Sequence, residues 1–469
     1  MKMKRALIAT DVDRTILTQI EKQEKYDFNR GVGHELISLV ENGFYVAFIT
    51  GNSMEQLTGR LLGFLVGELC HSNRLGLLSD FHFFCNAGGV YFHFDKQNAK
   101  LEDLIKLSKQ QQLSKKEVMN ILTEYVTKDS LSVRPEFIDV GYLKKTCMPK
   151  KEVETIKEIL HEQAEAYFSE INKKKVKLKK CYELTHPTIA ENDGTLIAPF
   201  VEERPIHYMD NCSPQMDTVQ LTLKPILSYQ HGKETKKNEN DLFEKDYRTA
   251  LVQKIQRQLD ENGLVHYVAR PGGRSSIDVT LAKLDKAYAL EFIIDRLNLQ
   301  GHERLGQRYG SNTVYFGDEV IVGGGNDYPV TRIPGLLTFA VNRNYTKVPA
   351  ISNVLVPSIT IQEVGATKIV LRKLNDIAEE LNHKNSALNV LAVFKEELFK
   401  KRIKEKLDVK TNLKAHNWQT LNALVSLMFR EDKSAKKWLE ILVDELDSIM
   451  LHLGDRSHQS AYGTSHPDA

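Results

Sequence analysis

Two aspartates, Asp11 and Asp13, follow directly on the apolar run Ala6-Leu7-Ile8-Ala9-Thr10. A short apolar run of this kind reads as a strand entering a core, so both acids stand at its carboxyl end. In open α/β sheets that is where ligand crevices form. Carboxylates this close repel unless a cation or a proton lies between them. A lone D-x-D is equally a capped turn with solvated acids, but three further segments alter the weighting. Thr50, followed by Gly51 and Asn52, ends the apolar run Phe44–Ile49. Lys286 opens a helical pattern after the strand end Asp278-Val279-Thr280. Gly317-Asp318 ends another strand and precedes Gly323-Gly324-Gly325-Asn326-Asp327.

These residue types fit phosphoryl transfer. A carboxylate nucleophile such as Asp11 forms an acyl-phosphate and splits one hard displacement into two easier ones. Mg²⁺ prefers a few carboxylate oxygens plus water, which Asp11 and Asp318 can supply. A hydroxyl (Thr50) and an ammonium group (Lys286) clamp phosphate oxygens as charge shifts. Asp13 can protonate the leaving oxygen and later activate water. Singly, Lys286 reads as a surface lysine and the glycine run as a tight turn. Their order and their places at strand ends make the joint reading.

The elements that must position them can be read from periodicity. Residues 29–42 carry Val32, Leu36, Leu39 and Val40 on one helical face, with Gly43 as the stop. A strand and hairpin follow over 83–94. Strand–helix–strand at these spacings indicates a parallel sheet wound with helices. From about Asp95 to Thr280 the chain becomes lysine-rich, with a strand over 218–223 and a helix over 247–262, which reads as an inserted α+β domain. The polar stretch 230–241 reads as a loop. The wound pattern resumes with a helix over 286–297 and strands over 312–316 and 336–341. Past Gly365 the apolar spacing is helical, with Leu388, Leu391 and Phe394, then Leu421, Leu424, Val425 and Met428, then Trp438, Ile441, Leu442 and Leu446 in step. The expected division is 1–94 and 281–382 for the core, 95–280 for the insert and 383–469 for a helical extension with a disordered tail.

At 469 residues the chain is too long for one ordinary core. A net charge of +2 argues against a nucleic-acid partner. The lysine run over 173–180 suits an edge strand with a solvated face, a phosphate-attracting patch being the sharper alternative. The five cysteines (Cys70, Cys85, Cys147, Cys181, Cys212) never form a C-x-x-C pair. That pattern fits reduced thiols and a cytoplasmic setting without a zinc site. No apolar stretch suits a signal peptide or a membrane span. The C-terminal helices leave room for a protein partner or self-association.

The chain resembles the haloacid dehalogenase (HAD) superfamily of phosphohydrolases and phosphomutases, whose four motifs match in order. The resemblance implies Asp11 as nucleophile, Asp13 as acid/base, Thr50 and Lys286 as second- and third-motif residues, and Asp318 with Asp327 as the acidic fourth motif around Mg²⁺. Asp13 enters that metal set as well. The insert is similar to a type C2 cap of subclass IIB. Gly272-Gly273-Arg274-Ser275-Ser276-Ile277-Asp278-Val279, leading to Asp285-Lys286-Ala287-Tyr288, and Val314-Tyr315-Phe316-Gly317-Asp318 resemble stretches of eukaryotic-type phosphomannomutase. Sucrose-phosphate phosphatases share the G-G…D segment. Val133-Arg134 through Val140-Gly141 resembles the cap strand pair whose arginine holds a sugar phosphate. By this likeness Gly51, Asn52, Arg134, Arg274, Ser275 and Asp278 are substrate-binding candidates. Arg14 stands where the family has glycine, and a second cap arginine falls near Lys144 or Lys145. The expectation is a doubly wound α/β HAD core with an inserted α+β cap and a helical C-terminal extension, acting as a Mg²⁺-dependent phosphatase on a small phosphorylated metabolite, a sugar phosphate foremost. The alternatives are a phosphomannomutase-like mutase and a non-catalytic binding or effector protein of the same fold.

Overall fold

The computed structural model of the chain describes residues 5–20, 25–28, 30–95, 99–111, 113–127, 130–173, 178–179, 196–197, 200–224, 245–272, 276–301, 308–320, 325–341, 354–355, 363–381 and 387–408. The central strand β1 (Ala6–Thr10) is wholly buried. It leads through a tight loop to the hairpin β2 (Leu17–Ile20) and β3 (Lys25–Phe28). Helix α1 (Arg30–Glu41) stops at Gly43, whose φ of +87° places it in the region glycine favours. Then follow β4 (Phe44–Ile49), α2 (Met54–Leu57), α3 (Gly63–His71), β5 (Phe81–Cys85) and β6 (Val90–His93). Between α2 and α3 the helix widens to a π turn over Thr58–Leu62.

The inserted segment comprises α4 (Ala99–Gln111), α5 (Lys115–Leu122), the hairpin β7 (Thr123–Thr127) and β8 (Ser130–Val133), α6 (Val140–Thr146) and α7 (Lys150–Lys173). Next come the short parallel pair β9 (Leu178–Lys179) and β10 (Leu196–Ile197), the long hairpin β11 (Phe200–Asp210) and β12 (Ser213–Lys224), α8 (Lys245–Glu261), β13 (Tyr267–Gly272) and β14 (Ser276–Leu281). The chain then returns through α9 (Lys286–Arg296), β15 (Thr313–Gly317), β16 (Leu337–Ala340) and β17 (Val354–Leu355). It closes with α10 (Val364–Glu380) and α11 (Ala387–Asp408).

The seven-stranded core sheet runs β17-β16-β15-β1-β4-β5-β6, parallel throughout except for the antiparallel β5–β6 edge. Strand β1 sits between β4 and β15, pairing Thr10 with Phe48 on one side and Phe316 on the other. The chain leaves β1 in opposite directions here, the switch point at which such sheets open a crevice. Side chains alternate across the sheet. Ile8, Val46, Phe48, Val314 and Phe316 pack toward α1 and α10, while Leu7, Ala9, Ala47, Ile49 and Tyr315 pack on α9.

The second sheet runs β11-β12-β14-β13, antiparallel, with α7 and α8 on one face through Ile156, Leu160, Ile255, Leu221, Ile277 and Val279. This is the α+β insert. Its apolar cluster begins at Met148. Residues of α4, α5, β8 and α6 (Leu101, Leu104, Val118, Leu122, Val133, Leu143) belong instead to the cluster under the core sheet, as do Ile206, Tyr208 and Val219 of the long hairpin. The hairpin therefore joins both units, turning at Asn211 and Cys212 in left-handed backbone. The loop expected over 230–241 and the helical pattern beyond 408 lie outside the described residues, as do 174–177 and Lys180 of the lysine run.

Candidate active site

Two strand ends and the start of a helical turn deliver the acids. Asp11 follows β1 and is anchored by its amide, which donates to the Phe316 carbonyl at 2.8 Å. Asp318 follows β15. Asp327 opens the short helical turn Tyr328–Arg332 and is fully buried. One carboxylate oxygen from each of Asp11, Asp318 and Asp327 lies within 4.8 Å of the others. Lys286, at the first position of α9, is brought in by its neighbour: the Asp285 side chain caps the helix by accepting from the Tyr288 amide at 2.9 Å. The buried ammonium group then pairs with Asp11 Oδ1 and Asp327 Oδ1, each at 2.6 Å.

Asp327 has further contacts. Its Oδ1 also accepts from the Tyr315 hydroxyl at 2.6 Å, and its Oδ2 accepts from the Glu319 amide at 2.8 Å. Gly317 makes room for it, since a Cβ there would stand 2.5 Å from Asp327 Oδ2. Asp318 is differently placed: its ion-pair partner is Arg14 Nη1 at 3.8 Å. Arg14 itself is held in left-handed backbone, φ 58°.

The site's electrostatics follow from burial. Desolvation pushes Asp11 up to about 7, reinforced by Asp327 and Asp13 and opposed by Lys286. Desolvation and the Asp11 and Asp327 charges raise Asp318 well above the carboxylate range. Burial would depress Lys286, but the Asp11 and Asp327 carboxylates outweigh it and hold the ammonium charged. Three carboxylates thus face the Lys286 ammonium, with the Arg14 guanidinium at the edge 3.8 Å from Asp318, so negative charge is in excess when all are ionised. A cation bound here would offset that excess, and the donors are hard oxygens of the kind Mg²⁺ prefers. Asp11, Asp318 and Asp327 could each offer an oxygen to such an ion, and Asp327 also orients Lys286 through its contacts with that lysine, Tyr315 and the Glu319 amide.

Asp13 stands outside the carboxylate cluster. Its Oδ2 accepts from Asn52 Nδ2 at 2.8 Å, and Arg60 Nη1 lies 3.7 Å from its Oδ1. Thr50 is buried, and its hydroxyl oxygen accepts from the Asn52 amide at 3.1 Å, which leaves the O–H proton for a ligand. The Gly51 carbonyl accepts from Arg204 Nη1 of β11 at 3.2 Å, so the insert touches the loop after β4.

Of the remaining candidates, Asp278 lies on β14 and accepts from the Thr222 hydroxyl at 2.8 Å. Burial raises it, with Arg204 opposing. Arg274 and Ser275 lie outside the described residues. Arg134 follows β8, which packs with the core, and its Nη2 donates to the Asn120 carbonyl at 2.9 Å. Lys144 pairs with Asp210 at 2.6 Å. Sequence reasoning missed Tyr315, Arg60 and Arg204. Tyr315 lay inside a motif already quoted, but the other two sit in an ordinary-looking helix and strand.

No protein-family model matches the chain, and no curated protein matches it. Among solved structures it is similar to the IMP-nucleotidase of Plasmodium falciparum, at 15% identity over 78% of this chain and 69% of that one, with a TM-score of 0.39. It is also similar to the sucrose-phosphatase of a Synechocystis species, at 13% identity over 79% and 98% of the two chains, TM-score 0.37. The protein SMU.1108c of Streptococcus mutans gives 15% identity over 81% and 99%, TM-score 0.38. Identities this low carry no substrate from those proteins to this one. The wound core sheet, with an α+β unit inserted after its antiparallel edge, is the architecture that the haloacid dehalogenase resemblance implies.

Proposed function

We propose that this protein is a HAD-type phosphatase that hydrolyses a small phosphorylated metabolite, a sugar phosphate foremost, through an aspartyl-phosphate on Asp11. The observation that carries the reading is the buried set of Asp11, Asp318 and Asp327 around Lys286 at the switch point of the sheet. An Asp11 carboxylate oxygen attacks phosphorus while the bond to the leaving oxygen breaks, and Asp13 supplies the proton to that oxygen. Water then attacks the phosphoryl group with Asp13 accepting its proton, which releases phosphate and restores Asp11. Lys286 and the Thr50 hydroxyl hold phosphoryl oxygens through both steps. Mg²⁺, when bound to Asp11 and Asp318, neutralises charge on nucleophile and phosphate together.

Hydrolysis is favoured over mutase chemistry by the cap cations. A mutase must clamp a bisphosphate in two orientations, and the described contacts of Arg134 and Lys144 are with the Asn120 carbonyl and Asp210 rather than with each other in a shared anion site, which supports hydrolysis. The test is a Mg²⁺-dependent phosphate-release screen over phosphorylated metabolites, with mannose and glucose 1-phosphates followed for isomerisation. Release from at least one ester, abolished by Asp11→Asn, is the expected result. Isomerisation without net release would replace the phosphatase by the mutase, and inactivity on every ester would favour a binding role.

A further inference from the structure

Helix geometry changes next to the site. After α2 the Gly63 amide donates to the Thr58 carbonyl five residues back, the signature of the π turn Thr58–Leu62. Such turns insert a residue into a helix, re-aim its side chains and recur at functional sites. Leu57, Leu61 and Leu62 are buried, so the core fixes the register of the turn. Arg60 projects from it to within 3.7 Å of Asp13 Oδ1. On the other side Asn52 Nδ2 holds Asp13 Oδ2 at 2.8 Å. Oδ1 itself is buried and has no hydrogen-bond partner among the described residues. At 3.7 Å the guanidinium attracts that oxygen without occupying its lone pairs.

We infer that Arg60 is a positioning residue for Asp13: the π turn aims its guanidinium so that, with Asn52, it fixes the carboxylate while leaving the lone pairs of Oδ1 unfilled for the proton that passes to the leaving oxygen. The inference rests on the phosphoryl-transfer reading above. Arg60 touches no reacting atom. Its effect is confined to the step in which a proton moves to the leaving group. Loss of that alignment matters most when the leaving group is basic and least when it departs unaided.

The experiment measures kcat/KM for the full-length protein with Mg²⁺ on a series of phenyl phosphates differing in ring substituent, from unsubstituted to 4-nitro. Arg60→Met is expected to lose about tenfold or more on phenyl phosphate and to stay within about twofold on the 4-nitro ester. Arg60→Lys recovers part of the loss, and the Mg²⁺ concentration for half activity is unchanged in both. Should Arg60→Met fail to fold, Arg60→Lys carries the same comparison, with an intermediate steepening across the series. Equal losses on all esters, or none on any, would overturn the assignment and leave the phosphatase reading standing. A wild-type protein inactive on the whole series would defeat the phosphoryl-transfer reading and this role with it.

Discussion

Asp11 carries two expectations. Asp11→Asn keeps the shape but loses the attacking charge, so turnover should fall to under about a hundredth of wild type, with the fold intact by circular dichroism. The second concerns pH. Folded Asp11 titrates near 7, well above an unfolded aspartate, so between about 4 and about 7 the folded state holds a proton that the unfolded chain has released. Metal-free protein therefore loses stability as pH rises through this window, and Asp318 acts in the same direction. Mg²⁺ should raise the melting temperature more at pH 8 than at pH 5; equal shifts would show that burial of these acids is relieved in some other way. Gly317 is a third point of strain. Gly317→Ala pushes a methyl group onto the Asp327 carboxylate, which should destabilise the protein by about 1–3 kcal/mol and lower kcat by unseating Lys286. Asp11, Thr50, Lys286 and Asp318 were legible in the sequence because each terminates or opens an element whose period is plain. The contacts that set Asp327 apart from the other acids were not, since they come from a tyrosine twelve residues away and an amide eight away.

At the scale of elements, helix starts and strand ends do the positioning. The capping carboxylate of Asp285 sets the first turn of α9, and Arg332 pairs with it at 3.1 Å. Asp285→Ala should cost about 1 kcal/mol and reduce kcat more than it raises KM, because the displaced group is Lys286. Gly88, with φ +87°, lets the β5–β6 turn approach that helix, where a Cβ would stand 3.0 Å from the Ala289 Cβ. The strand at Phe44–Ile49 and the helices α1, α8 and α9 fell where periodicity put them, within a residue or two. The π turn left no such trace, because one inserted residue does not disturb an apolar face that spans only three leucines. The strand pair expected from Val133 through Gly141 is not formed: β8 ends at Val133 and pairs back onto β7, the capping carboxylate of Asp139 starts α6 at Val140, and the periodicity gave no sign of the β7–β8 hairpin. It lies with the core, and Arg134→Ala should accordingly lower the melting temperature and affect all esters alike. A loss restricted to phosphosugars would return Arg134 to the substrate.

For the molecule as a whole, the C-terminal helices are partly a brace. Val390, Leu391 and Phe394 of α11 join the core cluster, and Phe394 packs 6.1 Å from Phe339 of β16. Ending the chain after Asp408 should preserve phosphate release, whereas ending it before Ala387 should expose this face and depress the melting temperature by several degrees, as a thermal melt would show. Sequence alone gave the helical period of α11 but not which surface its apolar face meets. The seam between β1 and β15 has a further bearing, on biosynthesis. Leu7 pairs with Thr313, so one edge of the central strand stays open until more than three hundred residues have left the ribosome. Contacts that distant in sequence form late and slowly. A chain arrested within the insert would present β1 as a bare apolar edge, a template for aggregation, and a fragment ending at Gly301 should accumulate as inclusion bodies where the longer chain stays soluble.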